Sequence, residues 1–120
     1  MIDGRPVKQY TGELPGKTFH SNKAHKNKGH VPGAVSIPWA SNMNEDGTFK
    51  SLDELRELYE KNGIDTDGEV VTYCNEGLHA AMPWFVLTQL LGNSQTTVYD
   101  NSMGEWANDV KKPMKMGADK

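Results

Sequence analysis

Short runs of β-branched and aromatic residues, each followed by a turn and a helical stretch, constrain this chain more than any other feature. Val70-Val71-Thr72-Tyr73 is the clearest, apolar enough for a strand buried on both faces. Ala34-Val35-Ser36-Ile37 is a second, stopped by Pro38, and Thr97-Val98-Tyr99 a third. Two helical stretches separate them. Ser51-Leu52-Asp53-Glu54 is a capping box, in which Glu54 can reach back to the Ser51 amide. Leu52, Leu55, Leu58 and Tyr59 then share one helix face, and Gly63 supplies the stop. The other helix covers roughly Ala80 to Leu91 and ends at Gly92. Pro83 is tolerated only near a first turn, so the entry into this helix lies between Cys74 and His79. Ser102 to Val110 predicts a short last helix with Trp106 packed inward. Strands alternating with helices predict an α/β domain with a mostly parallel sheet.

The 120 residues suffice for one domain with a conventional core, here placed at residues 1–113. The Lys-rich end, residues 114–120, reads as a flexible tail. Met1-Ile2-Asp3 looks like the end of a strand with nothing before it, which predicts a chain whose natural sequence extends upstream. No apolar run approaches the ~20 residues of a membrane helix, and nothing at the start resembles a signal peptide. The chain therefore reads as soluble, its compartment open between cytoplasm and periplasm. A net charge of −3 argues against a general nucleic-acid binder. One cysteine excludes an internal disulfide and any multi-cysteine zinc site.

From Lys17 to His30 the chain carries Lys17, Lys23, Lys26, Lys28, His20, His25 and His30 and no acidic residue. This is a solvated loop or a docking patch for an anionic partner. The histidines recur with four residues between each pair, within zinc spacing, but no acidic or cysteine ligand stands near them. No metal site is expected.

The chemistry points to Cys74. A parallel strand would deliver it to the carboxyl edge of the sheet, where open α/β folds keep their crevices. The turn Asn75-Glu76-Gly77-Leu78-His79 then leads into a helix, and backbone N–H groups with the helix dipole would favour thiolate over thiol. The alternative is an inert cysteine buried at a strand end.

At this point the sequence resembles the rhodanese (sulfurtransferase) domain, most of all the C-terminal catalytic domain of tandem rhodaneses. The matching stretches are Asp3-Gly4-Arg5 through Tyr10, Gly29-His30-Val31-Pro32-Gly33-Ala34, and Asp46-Gly47-Thr48-Phe49-Lys50-Ser51 with Glu54-Leu55-Arg56. Tyr73-Cys74 with its six-residue loop, Trp84-Phe85-Val86-Leu87, and Tyr99-Asp100-Asn101-Ser102 with Glu105-Trp106 complete the set. The resemblance implies a five-stranded, mostly parallel sheet flanked by helices on both faces. It implies that Cys74 takes a sulfane sulfur from a donor, holds it as a persulfide and passes it to a thiophilic acceptor. Acceptors in the family include cyanide, thiols and sulfur-accepting proteins, with no dissociable cofactor. A second rhodanese domain upstream is a further implication.

Departures from the family pattern bear on the donor. Cationic side chains that thiosulfate users commonly place before the tyrosine matched to Tyr10, and within the loop, are here Gln9 and Glu76; a loop position often held by arginine is Asn75. At ~4 Å and an effective dielectric of ~20, one unfavourable unit-charge contact costs about 4 kcal/mol. Glu76 also opposes thiolate formation by like-charge repulsion. A persulfide or polysulfide is thus the favoured donor over thiosulfate. His79 is either a proton shuttle and persulfide partner or an exposed cap residue. Lys8, or a lysine from Lys23 to Lys28, is a candidate replacement anion binder, beside Gln9. Asp3, Arg5 and Asp100 match positions that brace the loop: Asp3 and Asp100 are expected to accept loop hydrogen bonds and Arg5 to pair with one of them. A strand-end surface salt bridge is the simpler reading of each. Met103 replaces a tryptophan of many relatives and is expected as an adaptable pocket wall.

Two rivals remain. Phosphatases and arsenate reductases of the same fold need an arginine six positions after their cysteine. That position is Ala80, and no arginine follows Arg56. A non-enzymatic interaction or sulfur-carrier module stays open, since Gln9 and Glu76 weaken the catalytic pattern.

Overall fold

The computed structural model describes residues 1–120. Strands β1 (Ile2–Asp3), β2 (Val35–Ser36), β3 (Val70–Tyr73) and β4 (Thr96–Val98) form one parallel sheet in the order β2-β1-β3-β4. Ile2 lies opposite Val35 on one side and Thr72 on the other, and Val70 lies opposite Thr96. β1 is short but central, and the Gly4 N–H continues its ladder to the Tyr73 carbonyl at 2.9 Å. Four strands stand where five were expected. The other extended segments meet only through single antiparallel bridges, Lys17 with Ala24, Met43 with Phe49 and His30 with Lys115. Between residues 17 and 24 no β-branched run exists to lengthen such a bridge into a strand.

The helices are α1 (Val7–Tyr10), α2 (Leu52–Glu60), α3 (Ala81–Phe85) and α4 (Ser102–Trp106). α2 starts at the predicted capping box: Ser51 Oγ accepts the Glu54 N–H at 3.3 Å and the Glu54 carboxylate accepts the Ser51 N–H at 2.9 Å. Leu55 and Tyr59 are buried, whereas Leu52, in the first turn, is exposed. The single helix expected over 80–91 is shorter at its start and widens into a π-helical stretch over Val86–Leu90, where the Leu91 N–H reaches the Val86 carbonyl five residues back. α4 ends at Trp106 rather than Val110, and the half-buried indole donates to the Pro113 carbonyl at 2.9 Å.

Adjacent strand residues face opposite ways, and the core divides accordingly. Ile2, Val35, Leu55, Tyr59, Val70, Val86 and Leu87 pack on one side, joining α2 and the π-helical stretch after α3 to the sheet. Val31, Ala34, Tyr73, Met103 and Ala107 pack on the other, beneath α4. Helices therefore cover both faces, as expected.

The closing residues differ from the frayed tail expected for 114–120. Lys115 exchanges two backbone hydrogen bonds with His30 at 2.9 Å, and the Gly117 N–H donates to the Thr11 carbonyl at 2.9 Å. The Asp119 carbonyl lies 2.9 Å from His30 Nε2. The backbones approach so closely that a Cβ on Gly29 would sit 2.0 Å from the Lys115 oxygen. These backbone hydrogen bonds, together with Met114 packed against the second core cluster, tie the segment down, and neither shows in its Lys-rich composition.

Candidate active site

β3 ends at Tyr73, and the next residue is Cys74, 1% exposed. The loop from Cys74 to His79 leaves the sheet here and enters α3 through Ala80. Ser102, at the start of α4, organises this turn. Its Oγ accepts the N–H groups of Cys74 at 3.0 Å and Gly77 at 3.2 Å and donates to the Tyr99 carbonyl at 2.7 Å. The next two residues of α4 close the same seam: the Met103 N–H reaches the Cys74 carbonyl at 3.1 Å and the Gly104 N–H the Asn75 carbonyl at 2.7 Å. In contrast, the N–H groups of Asn75, Glu76, Leu78 and His79 find no acceptor within the protein. They are the donors a bound anion or persulfide can use.

Gly77 lies at φ +87°, in the left-handed region, and a Cβ there would stand 2.5 Å from Asp100 Oδ1. At the far end of the loop, a Cβ on Gly4 would stand 3.1 Å from the His79 oxygen, so the end of β1 supports the loop closely.

A cavity of about 380 Å³ opens over the cysteine, lined by Gln9, Lys17, Thr18, Phe19, Asn22, Cys74, Asn75, Glu76, Leu78 and His79. Its charged side chains are Lys17 and Glu76. The Glu76 carboxylate accepts the Phe19 N–H at 2.7 Å, which ties the 17–24 loop to the cysteine loop. The His79 ring stacks on Trp39 with centroids 5.4 Å apart. Leu78 and His79 also border an apolar groove of about 390 Å³ with Trp39, Phe49, Ala81, Met82 and Phe85. Phe19 and Leu78 are largely exposed at the cavity mouth.

Behind the loop runs a partly buried polar chain. Asn75 Nδ2 donates to Gln9 Oε1 at 2.9 Å, and Asn75 Oδ1 lies 3.2 Å from His25 Nε2. His25 Nδ1 in turn lies 3.3 Å from Asn108 Nδ2. His25 is 5% exposed, and burial holds it below the ordinary imidazole range.

The expected site residues separate into two groups. Cys74, Asn75, Glu76, Gly77, Leu78, His79 and Gln9 come together. Lys8 does not join them, because its ammonium pairs with Glu13 at 3.0 Å on the surface. The lysine that lines the cavity is Lys17, not one of Lys23 to Lys28. Met103 is fully buried among Val31, Ala34, Tyr73 and Ala107 and forms no pocket wall; its backbone is what holds the loop. Arg5 pairs with Asp3 at 2.6 Å, both buried, and donates to the Gly29 carbonyl at 2.8 Å. The Asp3 oxygens are thereby taken up by Arg5 and accept nothing from the cysteine loop. Asp100 is exposed and accepts no loop hydrogen bond either; it packs against Gly77. Sequence reasoning did not single out Ser102, Lys17 or His25 for this site. Ser102 falls inside a matching stretch and Lys17 inside the basic segment, but His25 carried no signal beyond its spacing from His20 and His30. Both ring nitrogens of His25 and of His30 already face protein partners, and no three His, Cys, Asp or Glu side chains converge as metal ligands.

Comparison with known proteins agrees with this architecture. A Thermus thermophilus protein named "Sulfur carrier protein TtuD" is 43% identical over 117 residues, 98% of this chain and 41% of the relative. A Haloferax volcanii protein named "Putative thiosulfate sulfurtransferase" is 41% identical with the same coverage. The chain thus spans about two-fifths of the length of these relatives. Among solved structures, an EanB variant in complex with ergothioneine superposes with a TM-score of 0.84 at 28% identity, covering 99% of this chain and 28% of that one. A second EanB variant, bearing a cysteine persulfide in a tetrahedral intermediate state with ergothioneine, gives 0.80 at 28% identity, covering 97% and 28%. The model of the rhodanese-like domain matches residues 1–109, and this chain belongs to that family.

Proposed function

We propose that this domain is a sulfurtransferase that moves a sulfane sulfur through a persulfide on Cys74. The observation that carries the reading is the setting of the sulfur: a buried cysteine at a strand's carboxyl end, under a cavity, in a loop with four uncommitted N–H groups. The relatives' names support the same chemistry.

In the loading step the Cys74 thiolate attacks the outer sulfur of the donor. A new S–S bond forms as the donor's own bond to that sulfur breaks. Thiosulfate releases sulfite; an organic persulfide releases its thiolate, which takes up the proton of the transferred sulfur. In the second step the acceptor nucleophile attacks the outer sulfur of the Cys74 persulfide, and the Cys74 thiolate leaves. No electrons are gained or lost overall. The uncommitted loop N–H groups stabilise the persulfide anion, because dipoles already fixed by the fold need no reorganisation. His79, at the cavity wall beside Trp39, serves the proton transfer.

The favoured donor is an organic persulfide or polysulfide. A dianion meets one cation, Lys17, and one carboxylate, Glu76, whereas an organic persulfide carries less charge on its sulfur and can lay its carbon skeleton on Phe19 and Leu78. A second reading, a carrier that holds sulfur for a protein acceptor, is favoured by the relative named a sulfur carrier. Intact-protein mass after exposure to thiosulfate and, separately, to a small persulfide tests both. The expected result is a gain of one sulfur, larger with the persulfide, absent in Cys74→Ala and removed by cyanide. Loading without release to cyanide or small thiols selects the carrier, and no loading from either donor rejects sulfur transfer.

A further inference from the structure

The polar chain behind the loop has a direction set by the backbone. Asn108 cannot turn its carboxamide over: Oδ1 accepts the Lys26 N–H at 3.0 Å, and Nδ2 donates to the Gly104 carbonyl at 2.8 Å. What Asn108 presents to His25 Nδ1 is therefore an N–H donor, and Nδ1 must be the accepting nitrogen. The proton of a neutral His25 then sits on Nε2, 3.2 Å from Asn75 Oδ1. With its oxygen taken, Asn75 offers Nδ2 to Gln9 Oε1 at 2.9 Å. That leaves the Gln9 amide nitrogen, with both of its N–H bonds, as the free end of the chain, on a residue that lines the cavity over Cys74.

We propose, building on the sulfur-transfer reading above, that His25 is a positioning residue for sulfur loading: acting through Asn75, it fixes the Gln9 carboxamide so that Nε2 faces the cavity as a donor to the oxygens or outer sulfur of the incoming sulfur donor. Gln9 is uncharged, and its amide serves an incoming anion best when its N–H end is held toward the cavity. A freely turning carboxamide would have to be ordered by the anion itself, at a cost in binding. The backbone around the chain is built to leave it room. A Cβ on Gly16 would stand 2.6 Å from Asn75 Oδ1 and 2.8 Å from His25 Cδ2, and the His25 N–H is held by the Gly16 carbonyl at 2.8 Å.

Protonation of His25 would break the chain at one point. Nδ1–H would then confront Asn108 Nδ2, two donors face to face, and Asn108 has no other orientation. Burial and the Arg5 charge oppose that protonation, while Asn75 and the Glu76 charge favour it. The relay is accordingly intact at neutral pH and lost as pH falls below the ordinary imidazole range.

The test is a double-mutant cycle on sulfur loading of the full chain, followed by mass from pH 5 to 8, with thiosulfate and a small organic persulfide as donors. His25→Leu is expected to raise the half-saturating donor concentration about fivefold with little change in the maximal rate. The same change in a Gln9→Leu background should have almost no effect, since the group being oriented is gone. His25→Gln can accept from Asn108 and donate to Asn75, and should restore loading while abolishing the loss on the acid side. Thermal unfolding of each variant excludes simple loss of fold. Equal cost of His25→Leu in both backgrounds, or no rescue by His25→Gln, overturns the positioning role while leaving sulfur transfer intact. Absence of loading in the unaltered protein overturns the sulfur-transfer reading and this role with it.

Discussion

Ser102 holds φ +48°, a left-handed conformation that a side chain with a Cβ adopts at a cost of roughly 1–2 kcal/mol. The hydroxyl offsets this by accepting two loop N–H groups, of Cys74 and Gly77, in a place water does not reach. Removing it leaves both donors unpaired. Ser102→Ala is expected to lower stability by about 2–3 kcal/mol in a denaturant titration and to slow Cys74 loading by at least about tenfold. Ser102→Gly relieves the backbone strain but not the lost hydrogen bonds, so it should recover part of the stability and none of the loading. Recovery of both would assign the residue to strain alone. At this scale Cys74 was legible, because a strand followed by a six-residue turn and a helix leaves one place for it. Ser102 was not: its partners lie 28 and 25 residues back along the chain, and only the pairing of β3 with β4 brings them together.

Two elements meet over the sulfur, the cysteine loop and the 17–24 loop, and Glu76 joins them. The second loop closes on itself through the Asn22 N–H to the Thr18 carbonyl at 3.0 Å and the Lys17–Ala24 bridge. Asn22 takes the left-handed turn at φ +51°, which asparagine tolerates better than most residues. Glu76 thus has a structural task, accepting the Phe19 N–H, and an electrostatic consequence, a negative charge at the mouth. Glu76→Gln separates them, since the amide oxygen can keep the hydrogen bond. Screened by solvent, the charge is worth about 1 kcal/mol against an anion, so Glu76→Gln should improve thiosulfate loading about fivefold and change persulfide loading little. Glu76→Ala should not match it, because Phe19 loses its anchor; equal gains in the two variants would show that the anchor is irrelevant. The capping box of α2 shows the opposite case of legibility. Ser51 and Glu54 are three residues apart, both partners are local, and the sequence alone located the helix start; Ser51→Ala is expected to cost about 1 kcal/mol in thermal unfolding. What is local in sequence was readable, and what depends on two loops 57 residues apart was not.

Across the whole molecule, the segment after Pro113 links parts of the fold that the sheet does not. His30 sits at the junction, its ring stacked on Tyr10 with centroids 3.7 Å apart and its two nitrogens facing the carbonyls of Tyr10 and Asp119. The Lys115 backbone lies against Gly29, and Gly29 is also the carbonyl partner of Arg5. Arg5 follows β1, whose end supports the cysteine loop, so the closing segment is mechanically continuous with the site through Gly29, Arg5 and Gly4. A Lys-rich tail without this pairing would be removable at no cost. Deleting residues 114–120 instead removes three backbone hydrogen bonds, to His30 twice and to Thr11 once, together about 2 kcal/mol, and should lower the melting temperature on the order of 5–10 °C. Gly29→Ala gives the matching control. In the full chain its methyl group would collide with the Lys115 carbonyl, besides straining φ +96°. In the shortened chain only the strain is left, so the substitution should cost distinctly less there than in the full chain. If the deletion leaves the melting temperature unchanged and Gly29→Ala costs the same in both, the segment contributes nothing to the fold, and the support of the loop ends at Arg5 and Gly4.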